Sequence, residues 1–509
     1  MKGFKKIIPI LLLFPFTLIS CNNVSDTVEI PVGEKDSSMF SSGDLKEFNA
    51  TDYDQKIDLS TLEANYAITK AGVYYFKGST NYQLIVNDSS SSNVHIILDN
   101  ATFNNDTTAS IYVKKSAKVV IHLLGNNTIT STYSSAVVDG NDTINGAIYS
   151  KDDLTISGSG NLNIKSALNG IVCNDDLKLV SGNVNIDSVK KGIDVNDSFR
   201  MRDGNLTINS STNSGIKLKN SSDNPFLYVE GGVIDITSYK EGIDLDYNTL
   251  ATGYMKFVSG DISIKSGNTE NISKGIKSAN SIIITGGKFN IDSTDDGLHA
   301  TGDIELSNCN INIKSDDDCI HSDTSISIKS GNITLTGHEG LESSNIIVID
   351  GGTIKIDAND DGINSSNNIT INGGFIDITL GDGDVDGIDS NGEYLQTGGV
   401  VISRIPVSSL AGAGAVDASL GVKFIGGTFI GVGSFTTVST ITTSIAMKYF
   451  DDTFSSGAYS VEGTNISFDL SSSYKKLTIV SSELNIGSSY KLLKDGSELL
   501  NWSQTKTSE

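Results

Sequence analysis

Short runs of alternating apolar and polar residues recur along most of the chain with a period near 22 residues. From about residue 146 onward, each unit contains a Gly-Ile or Gly-Leu step, a polar stretch, an Ile-x-Ile run, a turn ending in Gly and a second Ile-x-Ile run. This alternation predicts short strands with one apolar face and one polar face. The step begins at Gly170, Gly192, Gly215, Gly242, Gly275, Gly297, Cys319, Gly340, Gly362 and Gly387.

A second glycine position recurs with the same period as this step. Gly182 stands 12 residues after Gly170, the same spacing recurs in most units, and Cys309 takes that place after Gly297. A unit of this length is too short for a propeller blade, and no helical period accompanies it. The pattern therefore predicts an all-β fold, a parallel β-helix of about 22 residues per coil whose coils stack at about 4.8 Å.

The repeat also divides the chain. Regular coils are expected over residues 146–405, irregular coils and a cap over 51–145, and further coils with a β-rich cap over 406–509. Both ends need caps because an open coil exposes unpaired backbone groups.

The N-terminus has the features of an export signal. Lys2, Lys5 and Lys6 precede an apolar run, residues 7–19, that is too short to span a bilayer, and Leu18-Ile19-Ser20-Cys21 resembles the lipobox of bacterial lipoproteins. We predict a signal peptide over 1–20, lipidation of Cys21, a flexible tether over 21–50 and a location on the bacterial cell envelope. Ordinary signal cleavage beside a chance Cys is the alternative.

Composition and charge narrow the range of functions. Charged residues make up 19% of the chain, Pro occurs only 5 times, and the formal net charge is −24. Removal of residues 1–20, with three Lys and no acids, would make it −27. A chain this acidic is repelled by phosphate backbones, so we expect no nucleic-acid partner. The three remaining Cys are no disulfide framework.

Acidic residues gather at one repeat position in the later coils, around the Gly-Ile step. Carboxylates about 5 Å apart repel by roughly 1 kcal/mol in water and about 3 kcal/mol at an effective dielectric of 20. A hard divalent cation between the carboxylates would turn this repulsion into a net attraction, so we predict several Ca²⁺ ions between coils. The alternative is that Asp merely favours turns. The predicted ligands are Asp295, Asp296, Asp317, Asp318, Glu339, Asp360, Asp361, Asp382, Asp384, Asp386 and Asp389.

Other polar side chains follow the same step. His299, His321, Glu342 and Asn364 are the candidate ligand-binding residues. Lys217 and Lys277 take this place in earlier coils, where a lysine beside Ca²⁺ could abstract the proton that β-elimination of a uronate requires. The alternative is that both are ordinary exposed lysines.

Several segments are distinctive: the repeated Asp-Asp-Gly-Ile/Leu units and Gly72–Gly78, Gly146–Ile156, Asp386–Gly392 and Leu484–Leu492. Together they resemble one family, the bacterial carbohydrate-binding-domain family of secreted, calcium-binding right-handed β-helices, similar in architecture to polysaccharide lyases. The resemblance covers nearly all of the mature chain and implies binding of pectin-like or other plant-type polysaccharide. Lys190-Lys191 and Lys240-Glu241 replace the acidic pair in two early coils.

Together these features predict a monomeric, lipid-anchored protein that binds acidic extracellular polysaccharide with the help of Ca²⁺. A calcium-dependent polysaccharide lyase is the first alternative. A non-catalytic surface adhesin is the second.

Overall fold

Three stacks of parallel strands, one strand per coil in each stack, form the body of the protein. A computed structural model describes residues 32–219, 224–245, 253–406, 412–436 and 440–507. It contains a β-solenoid of about 16 turns with about 23 residues per turn, so the predicted parallel β-helix is confirmed. The only helical turn among these residues is the 3-10 turn Leu59–Thr61. The predicted signal peptide and Cys21 lie outside the described residues.

The first stack holds the strands that begin with the Gly-Ile step. Its regular strands are only three residues long, and successive strands pair in parallel. They are Tyr66–Ile68, Leu84–Asn87, Ile111–Lys115, Gly146–Ser150, Asn169–Cys173, Ile193–Val195, Ile216–Leu218, Ile243–Leu245, Ile276–Ser278, Leu298–Ala300, Ile320–Ser322, Leu341–Ser343, Ile363–Ser365, Ile388–Ser390 and Asp417–Ala418.

The second stack follows the first along each coil. Two early strands run on from it into the third stack without a break. Its strands are Gln55–Asp58, Gly72–Thr80, Val94–Asn105, Val119–Leu124, Leu154–Gly158, Asp176–Leu179, Ser198–Met201, Phe226–Val229, Tyr254–Phe257, Ser281–Ile284, Ile304–Leu306, Ser325–Ile328, Ile346–Ile349, Ile369–Ile371, Glu393–Gln396, Gly421–Phe424 and Ile441–Thr443.

The third stack has the longest regular strands, six residues in most coils, with every second side chain buried. Its separate strands are Asn126–Ser131, Asn161–Ser166, Asn183–Ser188, Asn205–Ser210, Val233–Ser238, Asp261–Ser266, Lys288–Ser293, Asn310–Ser315, Asn332–Gly337, Thr353–Ala358, Phe375–Leu380, Val400–Arg404 and Thr428–Val432.

The C-terminal end closes with antiparallel strands. Tyr474–Ser481 pairs with the last third-stack strand, and Ala446–Phe454 pairs with Tyr474–Ser481. A four-stranded sheet then covers this end with its own apolar core. Its strands are Gly457–Val461, Ser467–Leu470, Ser489–Lys494 and Ser497–Ser503. Among the described residues the one remaining strand pair is the hairpin Val137–Asp139 with Asp142–Ile144, inserted before the first regular coils.

Buried side chains stack on their counterparts along the axis, and Ile, Leu and Val fill most of the interior. Serines also point inward in the later coils of the first stack. Ser343 Oγ donates to the Thr324 carbonyl oxygen at 2.8 Å and Ser365 Oγ to that of Asn345 at 2.7 Å. These bonds satisfy a hydroxyl that would otherwise be costly to bury.

The glycine of the step is required by close packing against the third stack. A Cβ on Gly297 would lie 2.3 Å from Cγ2 of Ile313 and 2.6 Å from the carbonyl oxygen of Cys319. At Cys319 a side chain does fit, and the third-stack residue in register with Ile313 is there Leu335. Leucine branches at Cγ rather than Cβ, so it has no methyl where Ile313 has Cγ2. The exception to the repeat is thus compensated one strand away.

The N-terminal segment, residues 32–48, packs across the outside of the second stack and is called the strap here. Its described part therefore differs from the flexible tether predicted over 21–50. Phe40 and Phe48 are buried, and Phe48 lies over the rings of His95 and His122, with centroids 4.7 and 4.4 Å away. Apolar and ionic partners spaced along the solenoid hold the segment down.

Asp44 is the main anchor of the strap and is fully buried. Its Oδ1 accepts hydrogen bonds from Lys118 Nζ at 2.8 Å and from the Thr155 hydroxyl at 2.9 Å, and Lys178 Nζ lies 3.5 Å from Oδ2. Burial raises the pKa of Asp44, but the hydrogen bonds from Lys118 and Ser41 outweigh it and leave the pKa well below its ordinary value. The carboxylate is therefore held ionised.

Compensation between Cys319 and Leu335 can be tested directly. Leu335→Ile should lower the free energy of unfolding by about 1–3 kcal/mol, because it returns a β-methyl to a site already filled by a side chain. The double variant Cys319→Gly/Leu335→Ile, which restores the common pair, should recover most of that loss. Urea denaturation measures the coupling, and Ile313→Leu beside Gly297 is the control, with an expected cost below about 1.5 kcal/mol. Additive effects would contradict the compensation.

Candidate functional site

One row of side chains on the outer side of the first stack unites most of the predicted ligand-binding residues. The middle residue of each strand pairs with its counterpart in the next coil, and we call this line the strand row. His299, His321, Glu342 and Asn364 are consecutive members, as expected from their spacing. The row runs Val172, Asp194, Lys217, Asp244, Lys277, His299, His321, Glu342, Asn364, Asp389 and Asp417.

A second row lies beside it, formed by the residue just before each step, and is called the corner row. Backbone bonds join its members to neighbouring coils; for example, Gly297 N donates to the Asp318 carbonyl oxygen at 2.9 Å. Inside the corner, Ser315 Oγ donates to the Asp317 carbonyl oxygen at 2.9 Å and so shapes the turn. The corner row runs Lys191, Ser214, Glu241, Lys274, Asp296, Asp318, Glu339, Asp361 and Asp386.

The early half of the strand row neutralises itself because acids and bases alternate. Asp194 is buried between Lys191 and Lys219, each with Nζ 3.1 Å from a carboxylate oxygen. Lys217 Nζ lies 2.5 Å from Asp244 Oδ2. This candidate base is thus engaged in an ion pair. The charges of Lys217 and Lys277 both lower the pKa of Asp244, although burial outweighs them and leaves it raised. This half of the row has little uncompensated charge.

The middle of the site contains the two histidines. Their rings lie 4.8 Å apart between centroids. His299 Nδ1 is 2.7 Å from Asp296 Oδ2, and His321 Nδ1 is 3.0 Å from Asp318 Oδ2. Lys274 also pairs with Asp296 and, at 3.0 Å, with Asp295. The acids predicted as metal ligands here therefore already have basic partners.

The surroundings of His321 are mainly negatively charged. His321 Nδ1 is also 2.9 Å from Glu342 Oε2. Burial lowers the pKa of His321, but the carboxylates of Asp318 and Glu342 outweigh it and raise the pKa to about 10. Without a bound cation this imidazole is charged at neutral pH.

Beyond Glu342 the described members of the strand and corner rows are Asp and Asn residues. Asn364 Nδ2 donates to Glu339 Oε1 at 3.3 Å, whereas Glu339 Oε2 is buried without a hydrogen-bond partner. Asp361 Oδ1 accepts from Asp386 N at 2.7 Å. Among the described residues no Lys or Arg pairs with Glu339, Asp361, Asp386 or Asp389. These four residues are called the acidic end.

Burial and mutual repulsion make the acidic end hard to ionise. Burial, with the charges of Asp318, Glu342 and Asp361, raises the pKa of Glu339 to about 8. Burial and neighbouring carboxylates raise the pKa of Asp361 to about 7 and that of Asp386 to about 8. The carboxylates thus carry an electrostatic cost that a bound cation would remove.

The remaining predicted ligands lie at the edge of the site. Asp317, Asp382 and Asp384 are exposed and Asp360 is half-buried, all in the turns before the corner row. Asp317 nevertheless lies close to Asp318 and His338, and Asp360 close to Glu339 and His338, with ligand atoms within 4.8 Å of one another in each group.

Two acids near the rows were missed by the sequence prediction. Asp323 follows His321 by two residues and lies in the turn to the second stack, with its Oδ1 3.4 Å from His321 Nε2. Asp417 ends the strand row and, after burial, is the charge that raises the pKa of Asp389. Asp417 comes after the last recognisable step, and Asp323 lies outside the repeated motif.

A family comparison covers most of the chain. The sequence model of the family described as "Carbohydrate-binding domain-containing protein" matches residues 62–318 and 334–494. The protein belongs to this family. Carbohydrate binding by the family supports polysaccharide as the class of ligand. The stretch between the two matched ranges, 319–333, contains His321 and Asp323.

Individual relatives match smaller parts. A protein of Acetivibrio thermocellus, also named "Carbohydrate-binding domain-containing protein", is 36% identical over 126 residues, which is 24% of this chain and 44% of the relative. The chain thus spans less than half of that relative. A solved structure titled "Structure of the polysaccharide lyase-like protein from C. thermocellum, Gadolinium derivative" covers 47% of this chain and 96% of its own, at 27% identity and a TM-score of 0.38.

Within the ranges that the structure describes, no helix is long and apolar enough to cross a bilayer.

The raised pKa values predict an unusual pH dependence when divalent cations are absent. Because Glu339, Asp361 and Asp386 keep protons in the folded state that they lose when unfolded, stability should fall as the pH rises from about 5 to about 8. Asp386→Asn should make this fall shallower by at most about 1.4 kcal/mol per pH unit. Melting curves recorded in chelator test this, and a melting temperature that rises over this range would contradict it.

Proposed function

We propose that this member of the carbohydrate-binding domain family binds acidic, pectin-like polysaccharide through Ca²⁺ held at the acidic end. The observation that carries the proposal is the succession of Glu339, Asp361, Asp386 and Asp389 in neighbouring coils without a Lys or Arg partner among the described residues. Membership of the family supports a polysaccharide ligand.

The chemistry of these donors suits calcium. Ca²⁺ takes six to eight oxygen ligands from carboxylates, carbonyls and amides at about 2.3–2.6 Å in flexible arrangements. The acidic end provides carboxylates, including a buried Glu339 oxygen without a hydrogen-bond partner, and the neighbouring Asn364 adds an amide oxygen. A dication here would neutralise like charges that repel one another, and it would lower the raised pKa values. Ion binding should therefore stabilise the stack of coils.

Calcium also explains how an acidic protein can hold an acidic polymer. The formal net charge of −24 repels a polyuronate at long range. An ion whose coordination is only partly filled by protein can accept oxygens from a uronate carboxylate at the same time. The ion then bridges two negative partners, and the strand row next to it supplies polar side chains such as Glu342 and Asn364 for sugar hydroxyls.

Export and a lipid anchor at Cys21 complete the proposal. A protein on the cell envelope meets extracellular polysaccharide directly. The anchor rests on the lipobox-like residues 18–21 alone. Metabolic labelling with a palmitate analogue, lost on Cys21→Ser, tests it separately from binding.

Calcium removal provides the main test. Ca²⁺ at 100 times its dissociation constant should stabilise the protein by about 2.7 kcal/mol, and chelator should reverse this and abolish retention on polygalacturonate gels. Asp361→Asn/Asp386→Asn should lose most of the calcium-dependent shift in melting temperature and most of the retention. Asp235→Asn, an exposed acid on the third stack, is the matched control and should behave as the wild type.

Two results would contradict the proposal. Melting temperature and gel retention that ignore both Ca²⁺ and chelator would remove calcium from the function. Steady formation of unsaturated product from polygalacturonate, followed by absorbance, would instead identify a lyase.

A further inference from the structure

We propose that His299, His321 and Asp323 form a site for one divalent transition ion such as Zn²⁺, distinct from the calcium of the acidic end. The three residues come from two neighbouring coils. Their imidazoles are adjacent members of the strand row, and Asp323 lies in the turn that follows His321.

Both imidazoles are held from behind by carboxylates. His299 Nδ1 donates to Asp296 at 2.7 Å, and His321 Nδ1 lies 3.0 Å from Asp318 and 2.9 Å from Glu342. Asp296 and Asp318 are only 2% and 6% exposed, so these partners are fixed in the wall of the solenoid. A carboxylate behind Nδ1 sets the orientation and basicity of a histidine whose Nε2 binds a metal.

The Nε2 atoms are the donors left for an ion, and Asp323 meets both. Asp323 Oδ1 lies 3.4 Å from His321 Nε2 and 3.9 Å from His299 Nε2. Two ligands on a tetrahedral ion with bonds of about 2.0–2.1 Å lie about 3.4 Å apart. The side chain of Asp323 is 46% exposed, so binding of the ion would require it to turn toward His299.

The donor set selects a different cation from the one proposed for the acidic end. Two imidazole nitrogens and one carboxylate suit Zn²⁺ and its neighbours in the first transition row, whereas Ca²⁺ prefers oxygen ligands alone. Three protein ligands leave a fourth position open. Completion of that position by a saccharide oxygen rests on the proposed function, but binding of the ion itself does not.

The test uses Zn²⁺ alone, without polysaccharide, on the protein freed of any affinity tag. Calorimetric titration at pH 8 favours binding because the ion must displace a proton from the imidazole. We expect one Zn²⁺ per chain, and Co²⁺ in its place should give visible absorption bands of a tetrahedral site. Asp318→Asn should weaken Zn²⁺ binding about 10–100-fold, and His321→Ala or His299→Ala should weaken it further. Asp323→Asn should change the Co²⁺ spectrum.

His338→Ala is the control for a competing site, because half-exposed His338 lies with Asp317 and Asp318, and with Glu339 and Asp360, in two other groups that could hold a metal. It should leave Zn²⁺ affinity and the Co²⁺ spectrum unchanged. Equal affinity in the wild type and His299→Ala/His321→Ala, or loss of binding in His338→Ala, would overturn the site. Asp361→Asn/Asp386→Asn separates the two proposals, since it should keep Zn²⁺ binding even if it has lost calcium-dependent retention.

Discussion

Parallel hydrogen bonding between successive coils places each residue beside its counterpart one coil away, at about 4.8 Å. Everything else in this solenoid follows from that contact between equivalents. Inside, it stacks Ile on Ile and Ser on Ser, and it brings the step glycine against a third-stack side chain. A change of side chain at one position must then be compensated at the neighbouring position, as Leu335 compensates for Cys319.

On the outer surface the same stacking places charged side chains of neighbouring coils beside one another. The chain arranges these charges in two ways. In the early coils, Asp194, Lys217, Asp244 and Lys277 alternate in sign, so each ion lies between opposite neighbours. In the later coils like charges follow one another, and burial makes their ionisation costly. The first arrangement stabilises the solenoid, whereas the second carries an unfavourable electrostatic energy that the proposed cation would release.

The repeat made the fold and the strand row predictable from sequence. Equal spacing after the Gly-Ile step is enough to align His299, His321, Glu342 and Asn364, because register follows from period. What the spacing could not convey was the sign of the local electrostatics. The basic partners of Asp296 come from Lys274 in the previous coil and from His299 in its own.

The strap and Asp323 escaped prediction for a related reason. Neither belongs to the repeat, so the period of the sequence does not predict their positions. The segment containing Asp44 is polar and weakly patterned, and its partners Lys118 and Lys178 lie 74 and 134 residues further along the chain. A polar segment without periodicity looks the same in sequence whether it is free or docked.

The strap also constrains the order of folding. Its contacts reach from His95 to Asn308, whose Nδ2 donates to the Val32 carbonyl oxygen across 276 residues of sequence. Coils can form one after another from local pairings, but the surface that receives the strap exists only once roughly ten of them are in place. The strap is therefore synthesised early but docks late. It fastens the coils together after they have formed.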